Sequence, residues 1–189
     1  MKIFFNKKRL IKEIQNTKDL GFVPTMGSIH KGHLSLIKKS KKLSSKTIVS
    51  IFVNKPQFNN KNDFKKYPRS IKKDINLLKK KKINYLYLPS AKEIYPHGRN
   101  KNIKISKWKR ILCGKNRKGH FEAVVDVVDR FIKIIKPSKI YLGEKDFQQF
   151  AILREFIIKN KIRTKPIICP TIREKNGIAF SSRNYLLNK

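Results

Sequence analysis

The sequence has few acidic residues, few cysteines and no long apolar run. Only 12 of its 189 residues are Asp or Glu, against 47 Lys and Arg, so the formal net charge is +35. No apolar run approaches the roughly 18 residues of a membrane-spanning helix, and the basic N-terminal stretch lacks the apolar core of a cleavable secretory signal. Cys113 and Cys169 lie far apart and show neither metal-ligand spacing nor a disulfide framework. These absences favour a cytoplasmic protein without a membrane span.

Enough apolar residues are present for a folded core. Hydrophobic residues make up 39% of the chain and aromatic residues 10%, which is too rich for a disordered chain. The positive charge raises the hypothesis of a polyanion-binding surface. However, 37 of the 47 basic residues are Lys and 10 are Arg, whereas base readout and two-bonded phosphate contacts favour Arg. The lysines are also scattered along the chain, which favours solvated surfaces over one binding face.

The hydrophobic pattern alternates between strand and helix. It predicts strands at 21–25, 46–53, 84–88, from 140 and at 166–169, and helices at 32–43, 70–82, 119–136 and 146–159. The helix at 119–136 has the clearest 3.6-residue periodicity and ends at Pro137. Strands separated by helices predict a parallel α/β sheet, which binds its ligands beyond the carboxyl ends of the strands. Segment 89–118 is the least regular and is expected to hold a loop or flap.

The most specific motif is TMGSIHKGH, residues 25–33, at a predicted strand-to-helix turn. Its glycines let the backbone approach a phosphate, and the following helix offers free N–H groups. His30 and His33 flank the turn, and each can donate to phosphate oxygens. A protonated imidazole could also neutralise charge that develops on a leaving pyrophosphate. The motif therefore predicts a nucleotide-phosphate site.

Polar residues also follow the next predicted strand. Asn54 and Gln57, in FVNKPQF, are neutral amides that suit hydroxyls and a carboxylate of a small ligand. Ordinary turn chemistry explains the same residues equally well, since Asn and Pro form turns.

Two further segments carry candidate phosphate ligands. In LGEKDFQQ, Lys145 could contact phosphate, Asp146 could cap the next helix or take Mg²⁺ or a ribose hydroxyl, and Gln149 would face the cleft. In FSSRN, the two hydroxyls and guanidinium of residues 181–183 could form a phosphate clamp. Each segment has a plain alternative, a capped charged turn in the first and a surface turn in the second.

Taken together, these residues resemble the pantoate–beta-alanine ligase family. The matching segments are 21–36, 50–58, 63–69, 95–98, 117 with 119–121, 143–149 and 170–184. They occur in family order and cover nearly the whole chain. The His-x-Gly-His and Ser-Ser-Arg motifs also resemble the HIGH-type nucleotidyltransferase superfamily, which includes the class I aminoacyl-tRNA synthetases. The implied fold is α/β, a Rossmann-like parallel sheet flanked by helices.

The resemblance implies an ATP-dependent ligase. Pantoate would attack the α-phosphate of ATP to give pantoyl adenylate and pyrophosphate, and β-alanine would then displace AMP to give pantothenate. Mg²⁺ would accompany ATP through its phosphates, with Asp146 as a further candidate ligand and no dedicated protein metal site. A homodimer through this domain is also implied.

The resemblance also assigns residues to roles. The implied catalytic residues are His30, His33, Lys145, Ser181, Ser182 and Arg183, with His33 matching the proton donor of the family. The implied ATP-binding residues are Met26, Gly27, Ser28, Ile29, His30, Lys31, Gly32, His33, Gly143, Glu144, Lys145, Asp146, Ile172, Phe180, Ser181, Ser182 and Arg183. The implied residues for pantoate and β-alanine are Asn54, Gln57, Tyr67, Arg117 and Gln149.

The chain departs from the family pattern at four internal positions. Phe180 replaces a usual Met, Cys113 a common acidic residue and Glu122 a usual Arg, while Pro56 lies one place later than usual. Residues 1–189 are expected to form one nucleotide- and pantoate-binding domain that stops near the family's domain boundary at 184–189, without the smaller C-terminal domain. An impaired, basic domain that binds RNA or another polyanion is therefore the alternative, and a different adenylyl- or cytidylyltransferase is a third hypothesis.

Overall fold

A computed structural model describes residues 1–186, which form a six-stranded sheet with helices packed against it. The strands are β1 (Lys2–Phe4), β2 (Leu20–Thr25), β3 (Lys46–Ile51), β4 (Tyr85–Tyr87), β5 (Lys139–Gly143) and β6 (Lys165–Cys169). The α-helices are α1 (Lys7–Ile14), α2 (Lys31–Leu43), α3 (Lys61–Lys66), α4 (Ile71–Lys80), α5 (Ala91–Ile94), α6 (His120–Ile135) and α7 (Phe147–Lys159). Short 3₁₀ helices span Lys55–Gln57, Lys107–Arg110, Leu112–Asn116, Glu144–Asp146 and Ser182–Leu186.

All strand pairs are parallel, and the strand order is β1-β4-β3-β2-β5-β6. From β2 the chain adds β3 and then β4 on one side, and later adds β5 and β6 on the other. The order therefore reverses between β2 and β5. Such a reversal opens a crevice at the carboxyl ends of the two strands. The predicted α/β fold with a parallel sheet is confirmed.

The core lies on both faces of this sheet. Phe22 and Ile48 belong to one buried cluster and Val23 and Val49 to another, because side chains along a strand point to alternate faces. The first cluster also contains most of the apolar residues of α6, which explains why this helix carries the strongest apolar periodicity. A helix packed on the sheet in this way holds its first turn at the crevice.

Several elements differ from the sequence-based expectation. Strand β1 and helices α1 and α3 were not predicted, and β3 ends at Ile51 rather than at residue 53. Segment 89–118 holds one four-residue helix and two 3₁₀ turns, in agreement with the expected irregularity. Helix α7 begins at Phe147, and the side chain of Asp146 makes no capping hydrogen bond there. The predicted capping role of Asp146 is therefore wrong; its carboxylate contacts Lys145 instead.

Within the described residues, the longest and most apolar helices fall short of what is needed to traverse a bilayer.

Candidate active site

A cavity of about 490 Å³ lies at the strand-order reversal. Its walls include Met26 after β2, Phe52 after β3, Gly143 at the end of β5 and Thr171 after β6. The carboxyl ends of four neighbouring strands therefore meet at one cavity. Segment 107–117 covers part of this cavity through Leu112, Cys113 and Arg117.

The turn after β2 adopts a left-handed backbone that only small residues accept readily. Gly27 has φ +83° and Ser28 has φ +50°, and a Cβ on Gly27 would lie 3.1 Å from an Asp74 carboxylate oxygen. Asp74 is buried in α4 and accepts hydrogen bonds from the backbone amides of Ser28 and Ile29, each at 2.8 Å. This carboxylate fixes the backbone conformation of the turn that leads into α2.

His30 and His33 form the first turn of α2 together. His30 Nδ1 accepts a hydrogen bond from the Gly32 amide at 3.2 Å, and His33 Nδ1 accepts one from the His30 amide at 3.4 Å. A backbone N–H can only donate, so each neutral ring carries its hydrogen on Nε2. The two rings stack with centroids 3.9 Å apart. Gly32 is required beside them, since a Cβ there would lie 2.9 Å from His30 Cε1.

Both histidines are neutral in this arrangement. Burial, the neighbouring His30 and the charge of Lys145 lower the pKa of His33 to about 3, and burial and Lys145 also lower the pKa of His30. The protonated imidazole that the sequence suggested is therefore disfavoured in this arrangement. Two neutral Nε2–H groups remain as hydrogen-bond donors.

The amide of Gln57 is positioned by its neighbours. Asn54 Nδ2 donates to Gln57 Oε1 at 3.0 Å and to the Ala123 carbonyl at 3.2 Å, and Tyr95 Oη donates to Asn54 Oδ1 at 2.8 Å. Asn54 is 1% exposed and lies behind the cavity wall, whereas Gln57 is part of that wall. The expectation that Asn54 contacts a substrate is therefore not met; its side chain orients Gln57.

His120 joins Gln57 to helix α6. The two are linked by a 2.7 Å hydrogen bond between His120 Nδ1 and the main-chain carbonyl oxygen of Gln57. Burial lowers the pKa of this imidazole, with a further lowering from Arg117 and Arg183. His120 lines the cavity although sequence reasoning assigned it no role. Its position within the Gly-His-Phe match to the family was the available signal.

The end of β5 supplies charged and neutral groups. Lys145 Nζ lies 3.1 Å from Asp146 Oδ1, and both side chains line the cavity. Gln149, on the first turn of α7, lines the same cavity, as its sequence position predicted. One cation, one carboxylate and a neutral amide are thereby presented from one strand end.

The Ser-Ser-Arg segment is engaged with the rest of the site rather than open. Ser182 is buried, with its Oγ 3.3 Å from the Ser28 carbonyl and 3.5 Å from that of Gly27. Arg183 forms two hydrogen bonds with Asp63 and lies 5.2 Å from the centre of the Tyr67 ring. The phosphate clamp of two hydroxyls and a guanidinium stays a prediction. Ser182 braces the turn and Arg183 has a carboxylate partner.

The structure brings most of the predicted site residues to the cavity and leaves some outside. Those in its wall are Met26, His30, Gly32, His33, Gln57, Tyr67, Arg117, Gly143, Lys145, Asp146, Gln149, Ile172, Phe180, Ser181, Ser182 and Arg183. Those outside the wall are Gly27, Ser28, Ile29, Lys31, Asn54 and Glu144. The first three form the braced turn, and Lys31 Nζ lies 5.5 Å above the Phe180 ring.

The four departures from the family pattern are accommodated locally. Phe180 stacks near His30, with ring centroids 6.4 Å apart. Pro56 occupies the first turn of the 3₁₀ helix Lys55–Gln57, where its missing N–H costs nothing. Glu122 accepts a 2.6 Å hydrogen bond from Lys109. Cys113 is exposed at the cavity rim.

The cavity has an excess of positive charge. Arg117, Lys145 and Arg183 lie in its wall, against the single carboxylate of Asp146. Over the described residues, no group of three or more His, Cys, Asp or Glu side chains has the arrangement of a metal site. The excess of positive charge in the wall suits an anionic ligand.

Comparison with known proteins gives a consistent result. The family model described as pantoate-beta-alanine ligase matches residues 3–189. The pantothenate synthetase of Pseudothermotoga lettingae is 42% identical over 181 residues, which are 96% of this chain and 64% of that protein. The chain thus spans just under two thirds of that relative.

Solved structures agree with this match. The pantothenate synthetase of Thermus thermophilus superposes with a TM-score of 0.95 at 33% identity, over 100% of this chain and 68% of that one. The pantoate-beta-alanine ligase of Francisella tularensis, complexed with beta-gamma ATP and beta-alanine, superposes with a TM-score of 0.93 at 42% identity, over 100% of this chain and 74% of that one.

Proposed function

We propose that this chain, which belongs to the pantoate–beta-alanine ligase family, activates pantoate with ATP and transfers the pantoyl group to β-alanine. The products would be pantothenate, AMP and pyrophosphate, by way of pantoyl adenylate. The observation that carries the proposal is that the wall of one cavity contains two kinds of group. His30 and His33, each with its hydrogen on Nε2, lie in this wall with the cations of Lys145 and Arg183, and the neutral amides of Gln57 and Gln149 belong to the same wall.

The donor part of the cavity suits a triphosphate. His30 and His33 would donate from Nε2 to phosphate oxygens at the start of α2, where the helix N-terminus also favours negative charge. Lys145 and Arg183 would offset the charge that develops on pyrophosphate as it leaves. Ser181 and Phe180 would line the nucleotide side, and backbone at Gly143 and Ile172 would border the base and ribose.

Proton donation by His33 would depend on the nucleotide. The ring is neutral without ligand because burial and nearby cations disfavour the imidazolium. A bound triphosphate brings negative charge close to the ring and favours the charged form. His33 would then act as the proton donor only in the complex, which confines this role to the loaded site.

The amide part of the cavity suits an uncharged polyol and a carboxylate. Gln57 and Gln149 would bind the hydroxyls and carboxylate of pantoate without the cations that a phosphorylated substrate needs. Asn54 would act on the substrate through Gln57, which it orients. Tyr67 and Arg117 would border this region and the approach of β-alanine. A nucleotidyltransferase that acts on a phosphorylated substrate would bind the substrate phosphate with cations here, rather than with two neutral amides.

Magnesium, subunit organisation and location complete the proposal. Mg²⁺ would enter on the phosphates of ATP, and Asp146 in the cavity wall is a candidate protein ligand for it. By its family resemblance the chain would act as one nucleotide- and pantoate-binding domain of a cytoplasmic homodimer. The polyanion-binding alternative gains nothing from the comparisons, whose relatives are pantothenate synthetases.

An isotope-transfer experiment tests the proposed intermediate. The chain is incubated with ATP, Mg²⁺, β-alanine and pantoate carrying ¹⁸O in its carboxylate, and the AMP and pyrophosphate are analysed by mass spectrometry. Attack on the α-phosphate puts one ¹⁸O atom into AMP. Label in pyrophosphate or in inorganic phosphate, or no pantothenate at all, contradicts the proposal.

A further inference from the structure

One cavity residue has a free basic nitrogen that the proposed first step does not use. His120 is 5% exposed, starts the 16-residue helix α6 and lines the cavity beside Gln57. Its Nδ1 lies 2.7 Å from the Gln57 carbonyl oxygen. Among the described side chains, those of residues 1–184, none forms a hydrogen bond with Nε2 of the same ring.

The contact with Gln57 determines the tautomer of the ring. A carbonyl oxygen can only accept, so the hydrogen of neutral His120 must be on Nδ1. Nε2 then holds a lone pair. This is the reverse of His30 and His33, whose Nδ1 atoms accept from backbone amides and whose Nε2 atoms donate. One cavity thus contains two imidazole donors and one imidazole acceptor.

The surroundings of His120 favour the neutral, accepting form. Burial lowers the pKa of the imidazole first, and the charges of Arg117 and Arg183 lower it further, while the Gln57 carbonyl and Asp146 oppose them. The N-terminus of α6 adds positive potential at the ring. The ring therefore stays unprotonated and available as a base at neutral pH.

We propose that His120 accepts, at Nε2, the proton that the nitrogen of β-alanine loses as it bonds to the acyl carbon. This inference rests on the proposed function and concerns only its second step. His120 is then the general base of amide formation, and its hydrogen bond to Gln57 keeps the ring in the tautomer that can accept the proton. The residue that holds the substrates and the residue that receives the proton are connected by one hydrogen bond.

The step balances without any further reactant. β-Alanine loses one ammonium proton to water and enters as the free amine. The nitrogen lone pair forms the C–N bond, and the carbonyl electron pair shifts to oxygen and returns as the bond to the adenylate oxygen breaks. AMP leaves with the electron pair of that bond. The nitrogen, made acidic by the new bond, gives its second proton to Nε2, and the imidazolium releases it to water.

Two amide variants test the donor role of Nδ1 and the acceptor role of Nε2 separately. In His120→Asn the amide can still donate to the Gln57 carbonyl, but no acceptor remains at the position of Nε2. In His120→Gln an amide oxygen approaches that position but is not basic, and the donor to Gln57 is lost. His97→Asn, at an exposed position outside the cavity wall, is the matched control.

Each variant is assayed for pantoate-dependent exchange of pyrophosphate into ATP and, in a single turnover, for transfer from pantoyl adenylate to β-alanine. For His120→Asn the ratio of transfer rate to exchange rate should fall about 10²- to 10⁴-fold. Its pH profile should also lack the ascending limb at acidic pH that the titration of His120 is expected to give wild type. An unchanged ratio in His120→Asn together with a reduced one in His120→Gln would mean that His120 only orients Gln57, and would overturn the inference.

The tautomer is tested independently of turnover. The chain has four histidines, so a long-range ¹H–¹⁵N spectrum contains four imidazole systems, and that of His120 is the one missing from His120→Asn. It should show hydrogen on Nδ1 and none on Nε2. Hydrogen on Nε2 would overturn the inference. Wild type without pantoate-dependent exchange would contradict the proposed function, and the inference with it.

Discussion

The guanidinium of Arg183 donates two hydrogen bonds to the carboxylate of Asp63, 3.0 and 2.8 Å long, across 120 residues of sequence. These hydrogen bonds and the positive charge lower the pKa of Asp63. Arg183 also belongs to the cavity wall, where the proposed triphosphate would bind. The carboxylate therefore pairs with a guanidinium that the proposed triphosphate would also contact.

We expect Asp63→Asn to tighten ATP binding, because the amide keeps the size of the side chain but removes the charge that competes with phosphate. The pair is partly exposed, where a single charge interaction is worth about 0.2–1 kcal/mol. The KM for ATP in pyrophosphate exchange should then fall about 1.5- to 5-fold. Asp19→Asn, which breaks the remote pair with Lys139, should leave it unchanged. A raised KM in Asp63→Asn would show that the carboxylate positions Arg183 for ATP instead.

Removal of the Asp74 carboxylate should weaken the fold and the nucleotide site together. Asp74→Ala leaves two buried amides, those of Ser28 and Ile29, without their acceptor. At about 1–3 kcal/mol for each buried unpaired group, the free energy of unfolding should fall by about 2–6 kcal/mol. Urea titration measures this, and Asp19→Ala is the control, with an expected loss within about 1 kcal/mol.

Calorimetric titration of the folded Asp74→Ala variant with ATP should also show weaker binding. If the stability falls but ATP affinity does not, the carboxylate supports the fold without shaping the phosphate site.

The half-buried, neutral histidine His33 should make the protein less stable in acid. Its pKa is about 3 in the folded chain, lowered by burial and by His30 and Lys145, and returns to an ordinary value near 6.5 on unfolding. Between these values the unfolded chain binds a proton that the folded chain does not. Stability therefore rises with pH through this window and is lost as the pH falls from about 6.5 toward 3.

The variant His33→Asn isolates this contribution, because Asn can still accept from the His30 amide. Free energies of unfolding from denaturant titrations at pH 4, 5, 6 and 7 should depend less steeply on pH in His33→Asn than in wild type. The exposed-site variant His97→Asn should keep the wild-type slope. Equal slopes in all three proteins would show that His33 is not buried as a neutral ring.

A negative charge at Gln149 should act on pantoate specifically. Gln149→Glu places a carboxylate in the wall where the carboxylate of pantoate would bind, and like charges in close contact at a partly buried site repel by several kcal/mol. The KM for pantoate should rise about 10²-fold or more, while that for ATP changes by less than about 3-fold. Gln15→Glu adds the same charge at an exposed position outside the cavity. Equal effects on both substrates would contradict the assignment of Gln149.

The elements that bury apolar residues could be predicted from the sequence, and the short ones could not. Strands β2 and β3 and helix α6 contain residues such as Phe22, Ile48 and Val125, which form one buried cluster. Strand β1 has three residues on the edge of the sheet, and α3 has six residues with none buried. Such elements have little apolar pattern, because tertiary contacts rather than local preference form them.

The cavity residues were predictable where a motif marks a strand end, and their partners were not. His30, Gln57 and Lys145 each follow a strand, and all three line the cavity. The brace from Asp74 to Ser28 spans 46 residues, and the contact of Ser182 with Ser28 spans 154. No local spacing encodes such pairs, so the roles of Asp74 and His120 became apparent only in the folded chain.

The central claim is that this chain forms an acyl adenylate from pantoate. Exchange of labelled pyrophosphate into ATP tests it most directly, with this chain, Mg²⁺ and ATP in the presence or absence of pantoate and with no β-alanine. The account predicts exchange that requires pantoate, proceeds without β-alanine and is lost in Gln149→Glu at ordinary pantoate concentrations. Exchange that is absent, or that proceeds equally well without pantoate, would contradict it.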